Sequence, residues 1–305
     1  MALVAVVLLA PVVLLTLGVQ EAGATPSKPP TAASYFIASY DKNTAFSDGK
    51  AQGKADASSG YDSAVILDFG WQISGGTETP NTYVDLTYSQ VENMGIAFAE
   101  GYMAGVGSAD TYDALEIGTV NYGSFFASDP TARGKTWGDA VNTIYTDVLN
   151  DGYDQVIVDG GSDLEPGYST QNDTEDWAQG FADTASEPYA DYGSADGCVR
   201  TPEGSDGPCN NNWSISGEYY LAWAAADAMA TPLMTVSDQQ DQWANISDYG
   251  KQNSTDGMIY WLGITDTYPS GWDATTAWND FYSALSNYGV ATTPSYSLQL
   301  SSEME

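Results

Sequence analysis

The sequence contains no histidine, and that absence removes whole mechanisms. A Ser-His-Asp triad, a Cys-His pair and a His-ligated zinc are all excluded. Bases are scarce as well: 8 lysines and arginines stand against 41 aspartates and glutamates, for a formal charge of −33. Such a surface repels phosphate backbones and anionic lipid heads, so nucleic acid and membrane surfaces are poor partners. Cysteines number 2, Cys198 and Cys209, and their spacing is not the Cys-x-x-Cys of redox and metal sites. No Gly-rich nucleotide turn follows the first strand-like segment, which argues against a dinucleotide-binding open sheet. Asp41-Lys42-Asn43 opens like a calcium loop, but Ala45 and Phe46 occupy the places of a ligand and the turn glycine. Neither cofactor nor metal is expected. Acid–base work therefore falls to Asp, Glu and Tyr.

What is present reads as one exported α/β domain. Residues 3–18 are almost wholly apolar and are followed by Ala22-Gly23-Ala24, the pattern of a signal peptide (1–24) cut before Thr25, although nothing basic precedes Lys28. Residues 25–33 form a Pro-rich, flexible lead-in, and 34–305 the folded domain. The expected localisation is secreted, with no membrane contact after cleavage. Cys198 and Cys209 lie in a Gly-, Pro-, Asp- and Asn-rich loop, and in a secreted chain two such close cysteines pair.

Within the domain, strand-like and helix-like segments alternate. Strands are expected at Tyr35–Tyr40, Ala64–Phe69, Ala114–Val120, Gln155–Val158, Glu187–Tyr192, Leu233–Val236, Met258–Leu262 and Ser295–Leu300. Between the first two lies only a Gly/Ser/Asp-rich stretch. Steps of three and four mark a helix through Tyr88, Val91, Met94, Phe98 and Tyr102, and another through Trp137, Val141, Ile144 and Val148. Further helices are expected over 174–184, 218–229, 238–249 and 274–285. Eight strands alternating with helices in a single domain is the pattern of a (β/α)8, TIM-type barrel.

In that fold, ligands and reacting groups gather at the C-terminal ends of the strands. The richest end is the fourth. Gln155–Val158 leads into Asp159-Gly160-Gly161-Ser162-Asp163-Leu164-Glu165-Pro166, where Asp163 and Glu165 stand two residues apart. In extended chain such positions face the same side, and two neighbouring carboxylates cannot both ionise cheaply. One then keeps its proton for use as a general acid, as glycoside cleavage requires. Asp68 ends the second strand, with Trp71 and Gln72 just after it; Asn121 and Tyr122 end the third, and Asp191 and Tyr192 the fifth. Asp68 joins Glu165 and Asp163 as a candidate catalytic acid. Asp159, Asn121, Tyr122, Tyr192, Trp71 and Gln72 are candidate substrate-binding residues, the tyrosines able to bond a sugar or its acetamido carbonyl. Trp213 and Trp243 are further stacking candidates.

Asp163-Leu164-Glu165 at the end of a fourth strand resembles the Asp-x-Glu motif of the chitinase and lysozyme-like muramidase barrels. That resemblance implies that Glu165 is the proton donor and that Asp163 stabilises charge beside it. Chitinases carry a longer Asp-x-x-Asp-x-Asp-x-Glu run, and Gly161 stands here in place of its central Asp. Leu67-Asp68-Phe69-Gly70, Asn121-Tyr122-Gly123, Ser162–Gly167, Tyr192–Cys198 and Cys209–Trp213 are similar to phrases in secreted bacterial glycoside-hydrolase-like proteins. The second likeness implies export, a barrel and the short disulfide loop. The expected function is a secreted glycoside hydrolase acting on extracellular or cell-wall polysaccharide by carboxylate chemistry. The alternative is a non-catalytic barrel that binds glycan or serves as a cell-surface structural protein.

Overall fold

In the computed structural model the described residues are 28–80, 82–225, 228–236, 238–268, 273–291 and 300–303. The expected signal peptide, the first part of the lead-in and most of the expected eighth strand lie outside them. The molecule is α/β. Its strands are β1 Ala32–Phe36, β2 Ser63–Ile73, β3 Gly76–Glu78, β4 Asp85–Thr87, β5 Asp113–Val120, β6 Val156–Asp163, β7 Tyr189–Asp191, β8 Ala228–Ala230, β9 Thr265–Tyr268 and β10 Leu300–Glu303. Eight of these run parallel in the order β8-β7-β6-β5-β2-β1-β10-β9, while β3 and β4 form an antiparallel ribbon on the end of β2.

The two ends of that order approach each other. Leu233, just past β8, bridges in parallel to Thr265 at the start of β9, and Ala230 bridges to Trp261. The bonds are Met234 N–H to Thr265 (2.8 Å), Thr265 N–H to Pro232 (3.0 Å) and Leu262 N–H to Ala230 (2.9 Å). The expected sixth and seventh strands, Leu233–Val236 and Met258–Leu262, are therefore single bridges. The ladders lie beside them, at β8 and β9.

The helices are α1 Lys42–Ser59, α2 Tyr88–Val106, α3 Gly123–Ser128, α4 Pro130–Asn150, α5 Gln171–Ala182, α6 Ile215–Tyr219, α7 Gln239–Asn253 and α8 Ala274–Asn287. Sequence periodicity gives no sign of α1, because little of it is apolar. It is held by close backbone contact with α2 instead: a Cβ on Gly101 would sit 2.0 Å from the Phe46 carbonyl oxygen, and one on Gly49 2.1 Å from that of Phe98. Asp41, the first residue of the failed calcium loop, caps α1 through the Asn43 and Thr44 amides (2.9 and 3.2 Å). Helix α2 starts with a Thr87–Gln90 capping box. The core between sheet and helices holds Trp137, Trp177, Phe98, Phe126, Phe181 and Tyr189, all buried. Trp213 and Trp243 belong to this interior too, 1% and 0% exposed, which withdraws them as stacking platforms.

Cys198 and Cys209 form the disulfide, closing the loop between β7 and α6. Among the described residues no helix is long and apolar enough to cross a membrane.

Candidate functional site

The acids of the site are set chiefly by the adjacent strands β2, β5, β6 and β7. In β6 the paired glycines do not turn the chain; they let side chains approach on its two faces. A Cβ on Gly160 would meet the Phe181 ring of α5 at 2.4 Å, and one on Gly161 the Tyr192 ring at 3.1 Å. Gly118 of β5 makes the same allowance, at 2.4 Å from the Tyr192 hydroxyl. Tyr192 thus lies across β5 and β6, 5% exposed, with its hydroxyl donating to the Thr119 carbonyl (3.1 Å). It is a floor beneath the site, and its hydroxyl is already engaged.

Asp68 sits where β2 departs from regular pairing. Register shifts against β5 between Asp68 and Trp71, and Gly70 takes φ 77°. The Gly70 amide turns back onto Asp68 Oδ1 (2.6 Å), and the carboxyl is buried. Burial pushes this carboxyl up to about 6, against the Gly70 amide and the nearby Tyr192 hydroxyl, which favour its ionised form.

Asp163 closes β6, and Glu165 follows after Leu164, which is buried in the core. Burial, then the charges of Glu165, Asp68 and Asp191, holds Asp163 well above the usual carboxylate range. Its Oδ1 is buried and accepts no bond from the protein. Burial also raises Glu165, opposed by hydrogen bonds from the Ser194 hydroxyl and amide and from Tyr168. The charge of Glu165 acts on Asp163, as the two-residue spacing implies, and that of Asp196 acts on Glu165.

Asn121 has a different task from the one expected. Its Oδ1 accepts the Glu165 amide (3.1 Å), and its Nδ2 donates to the Glu165 carbonyl (3.2 Å) and to Thr174 Oγ1 (3.1 Å). With every polar atom used, it fixes the backbone of Glu165 and is a positioning residue. Asn121→Ala leaves those buried groups unpaired, so it is expected to cost about 2–4 kcal/mol in urea melts. Gln72 is likewise spent, donating to Tyr88 Oη and the Arg133 carbonyl (both 3.1 Å) and accepting from Trp177 Nε1 (3.0 Å). It faces the helix layer. Asp159 lies in mid-β6, opposite Glu116 of β5 and four residues short of the strand's end. Burial, then Glu187, raises it to about 7.

Trp71 and Tyr122 do reach the surface. The rings run in a chain, Tyr83 to Trp71 (6.0 Å), Trp71 to Tyr122 (5.4 Å) and Tyr122 to Tyr168 (5.7 Å), and Tyr168 in turn bonds Glu165. Tyr83, Tyr122 and Tyr168 are 70%, 47% and 42% exposed. Tyr83 holds φ 54°, a strained conformation for an aromatic residue.

Two acids escaped the sequence reading. Glu218 on α6 is fully buried with both carboxyl oxygens unpartnered, raised by burial and then by Asp191 and Glu165. Glu116, also buried and unpartnered, left a faint trace as the lone acid in an apolar strand. Asp191 completes the group: Oδ1 takes the Gly193 amide (2.9 Å), and burial lifts it to about 7 against the Gly193 and Leu164 amides, which favour its ionised form. Among the described residues no three acids or cysteines are grouped to hold a metal ion. Comparison with family models, curated proteins and solved structures finds no match to this chain.

Proposed function

We propose that this chain is a secreted glycoside hydrolase acting on extracellular or cell-wall polysaccharide, on a sheet closed as a (β/α)8 barrel. The observation that carries the reading is the Asp163–Glu165 pair: two neighbouring carboxyls, both raised by burial, beside a run of aromatic rings. Flat rings suit the faces of sugars, and a carboxyl that keeps its proton above the usual range suits proton donation. The bridges from 230–233 to 261–265 support closure of the barrel. The disulfide supports an extracellular setting.

In this mechanism Glu165 gives its proton to the leaving glycosidic oxygen. Asp163 carries charge beside the sugar as the bond breaks, Asp68 supports it from β2, and water then bonds to the anomeric carbon, its released proton restoring the acid. Asn121 and Tyr168 hold Glu165 in place. The test is release of reducing ends from a panel of neutral, acetylated and amino polysaccharides across acid to neutral pH. Cleavage of any member supports hydrolysis; none across the panel sinks it. One observation favours the second reading, a glycan-binding barrel without catalysis: Glu165 is already bonded by Ser194 and Tyr168. That reading expects retention on a glycan column without release of reducing ends.

A further inference from the structure

Glu165 is held from two sides, and both holders lead to the disulfide loop. On one side the Ser194 hydroxyl and amide donate to its carboxyl, and Ser194 lies shortly before Cys198. On the other the Tyr168 hydroxyl donates to it, from the loop between β6 and α5. That loop is gripped by the residues that follow Cys209. The Ser169 carbonyl accepts Asn211 Nδ2 (2.7 Å) and Trp213 Nε1 (2.9 Å), and Gln171 Oε1 accepts the Ser214 amide (2.9 Å). The Cys198–Cys209 disulfide therefore joins the segment that carries Ser194 to the segment that steadies Tyr168.

The two arms of the disulfide loop are anchored differently. The arm after Cys198 rests on α7. Gln242 Nε2 donates to the Cys198 carbonyl (3.1 Å), Asn245 Nδ2 to the Val199 carbonyl (2.8 Å), and Asn245 Oδ1 accepts the Gly204 amide (3.1 Å). The chain after Cys209 turns through Asn211 and Asn212, both in the left-handed region at φ 53° and 61°. Asparagine enters that region more readily than most residues with a side chain, but two in succession persist only where the surroundings hold them. Here the Cys209 amide donates to the Trp213 carbonyl (2.8 Å), the Asn210 amide to the Asp196 carbonyl (3.0 Å), and Asn210 Nδ2 to Asp196 Oδ2 (3.1 Å). Asp196 is in turn the acid whose charge acts on Glu165.

We propose that the Cys198–Cys209 disulfide is a positioning device for the Glu165 carboxyl, acting through the Asn210–Trp213 turn on Tyr168 and through the 194–196 segment on its other side. The effect on catalysis rests on reading Glu165 as the proton donor; the coupling to Glu165 does not. A disulfide that only stabilises does so mainly by restricting the unfolded chain, which leaves the surroundings of Glu165 as they are. Positioning differs. Without the disulfide the turn loses its covalent tie to the arm on α7, the grip on Ser169 slackens, and water reaches the Glu165 carboxyl. Burial is the first cause of its raised value, so its titration then moves down toward the ordinary carboxylate range.

The experiment compares the full chain with Cys198→Ala/Cys209→Ala and with Asn211→Gly, each checked for folding by circular dichroism. Glycine suits the positive φ of the turn and removes the bond to Ser169. Two readouts need no substrate: hydrogen exchange followed by mass spectrometry, and NMR titration of isotope-labelled glutamate carboxyls, with Glu165 assigned through Glu165→Gln. In the chain without the disulfide, segments 165–171 and 206–214 are expected to exchange about 10-fold or more faster, while α2 and α4 keep their protection. Glu165 should titrate lower than in the parent. Asn211→Gly should show the same changes at 165–171 and at Glu165 to a smaller degree, with the disulfide intact. Asn142→Ala is the control. It breaks bonds to Thr184 and Ser186 ahead of β7 and is expected to cost stability without moving Glu165.

A Glu165 that titrates without the disulfide as it does in the parent overturns the proposal. So does faster exchange spread evenly over the domain, which marks a staple of the fold alone. Should the chain without the disulfide fail to fold, Asn211→Gly decides: unchanged exchange at 165–171 and an unchanged Glu165 overturn the proposal. Cleavage is scored separately, and its kcat is expected to fall about 10-fold or more without the disulfide. If Glu165 responds to the disulfide but Glu165→Gln leaves cleavage intact, the coupling stands and the hydrolase falls. If cleavage depends on Glu165 but keeps its kcat and pH profile without the disulfide, the hydrolase stands and the coupling falls.

Discussion

Glutamine at position 165 is expected to lower glycan cleavage by about 10²–10⁴-fold, the range a positioned proton donor contributes. The substitution keeps size and the bonds' acceptor oxygen. The amide can still accept from the Ser194 amide and hydroxyl and from Tyr168, which favour the ionised form of Glu165. What it loses is the proton. The loss should appear in kcat, with KM changed little, because the proton is needed only as the bond breaks. Equal turnover by Glu165→Gln and the parent would remove Glu165 from the chemistry.

The pH profile checks the same assignment from another side. Burial raises Glu165, so activity that needs it protonated should persist above the ordinary carboxylate range and fall as it ionises. Asp196→Asn removes the charge that adds to this rise. Glu165 then ionises more readily, and the alkaline limb should move to lower pH. A limb that stays put would mean that Glu165 does not set it.

Why some of this was legible in sequence and some not follows from where the information sits. Asp163 and Glu165 are local: a short apolar run, its end, and a spacing of two residues on one side of the chain. Asp68 was visible for the same reason, at the end of the strong strand Ala64–Phe69. Gln72 and Asn121 were placed in the right loops with the wrong contacts. A polar residue at a strand end can turn to the mouth or to the helices, and a register shift at Asp68–Trp71 is enough to decide which. Glu218 gave no signal, since its meeting with Asp191 depends on how the loop after the disulfide returns to β7. Helix α1 went unseen because glycine contacts, not an apolar stripe, hold it to α2. Trp213 and Trp243 show the opposite limit. Their residue type suits a sugar platform, yet only burial distinguishes that use from packing.

Melting temperature is expected to fall by on the order of 10 °C between about pH 5 and pH 8, measured by calorimetry or circular dichroism. The sign follows from the buried acids. Burial raises Asp68 to about 6, Asp159 and Asp191 to about 7 and Asp113 to about 8, all above their values in the unfolded chain. Between the ordinary carboxylate range and those values the folded state binds more protons than the unfolded. Stability is therefore complete below that range and declines as pH rises through it, by about 1.4 kcal/mol per pH unit for each group inside its window. Hydrogen counting supports the direction independently. Ser63 Oγ lies 2.5 Å from Asp56 Oδ2 and 2.7 Å from Asp113 Oδ1, and its single hydrogen can serve only one of them. One carboxyl must hold a proton to complete the pair of bonds, and burial singles out Asp113. The exposed caps Asp41 and Asp273 act oppositely: amide hydrogen bonds lower both, so their contribution is lost as pH falls below the ordinary range. The optimum should thus lie on the acid side of neutral. Repulsion within a surface of formal charge −33 works in the same direction, but salt screens it, whereas acids buried away from water are screened far less. A fall that disappears in high salt would assign the effect to the surface. One that survives salt, and flattens in Asp113→Asn, assigns it to protons held inside the fold.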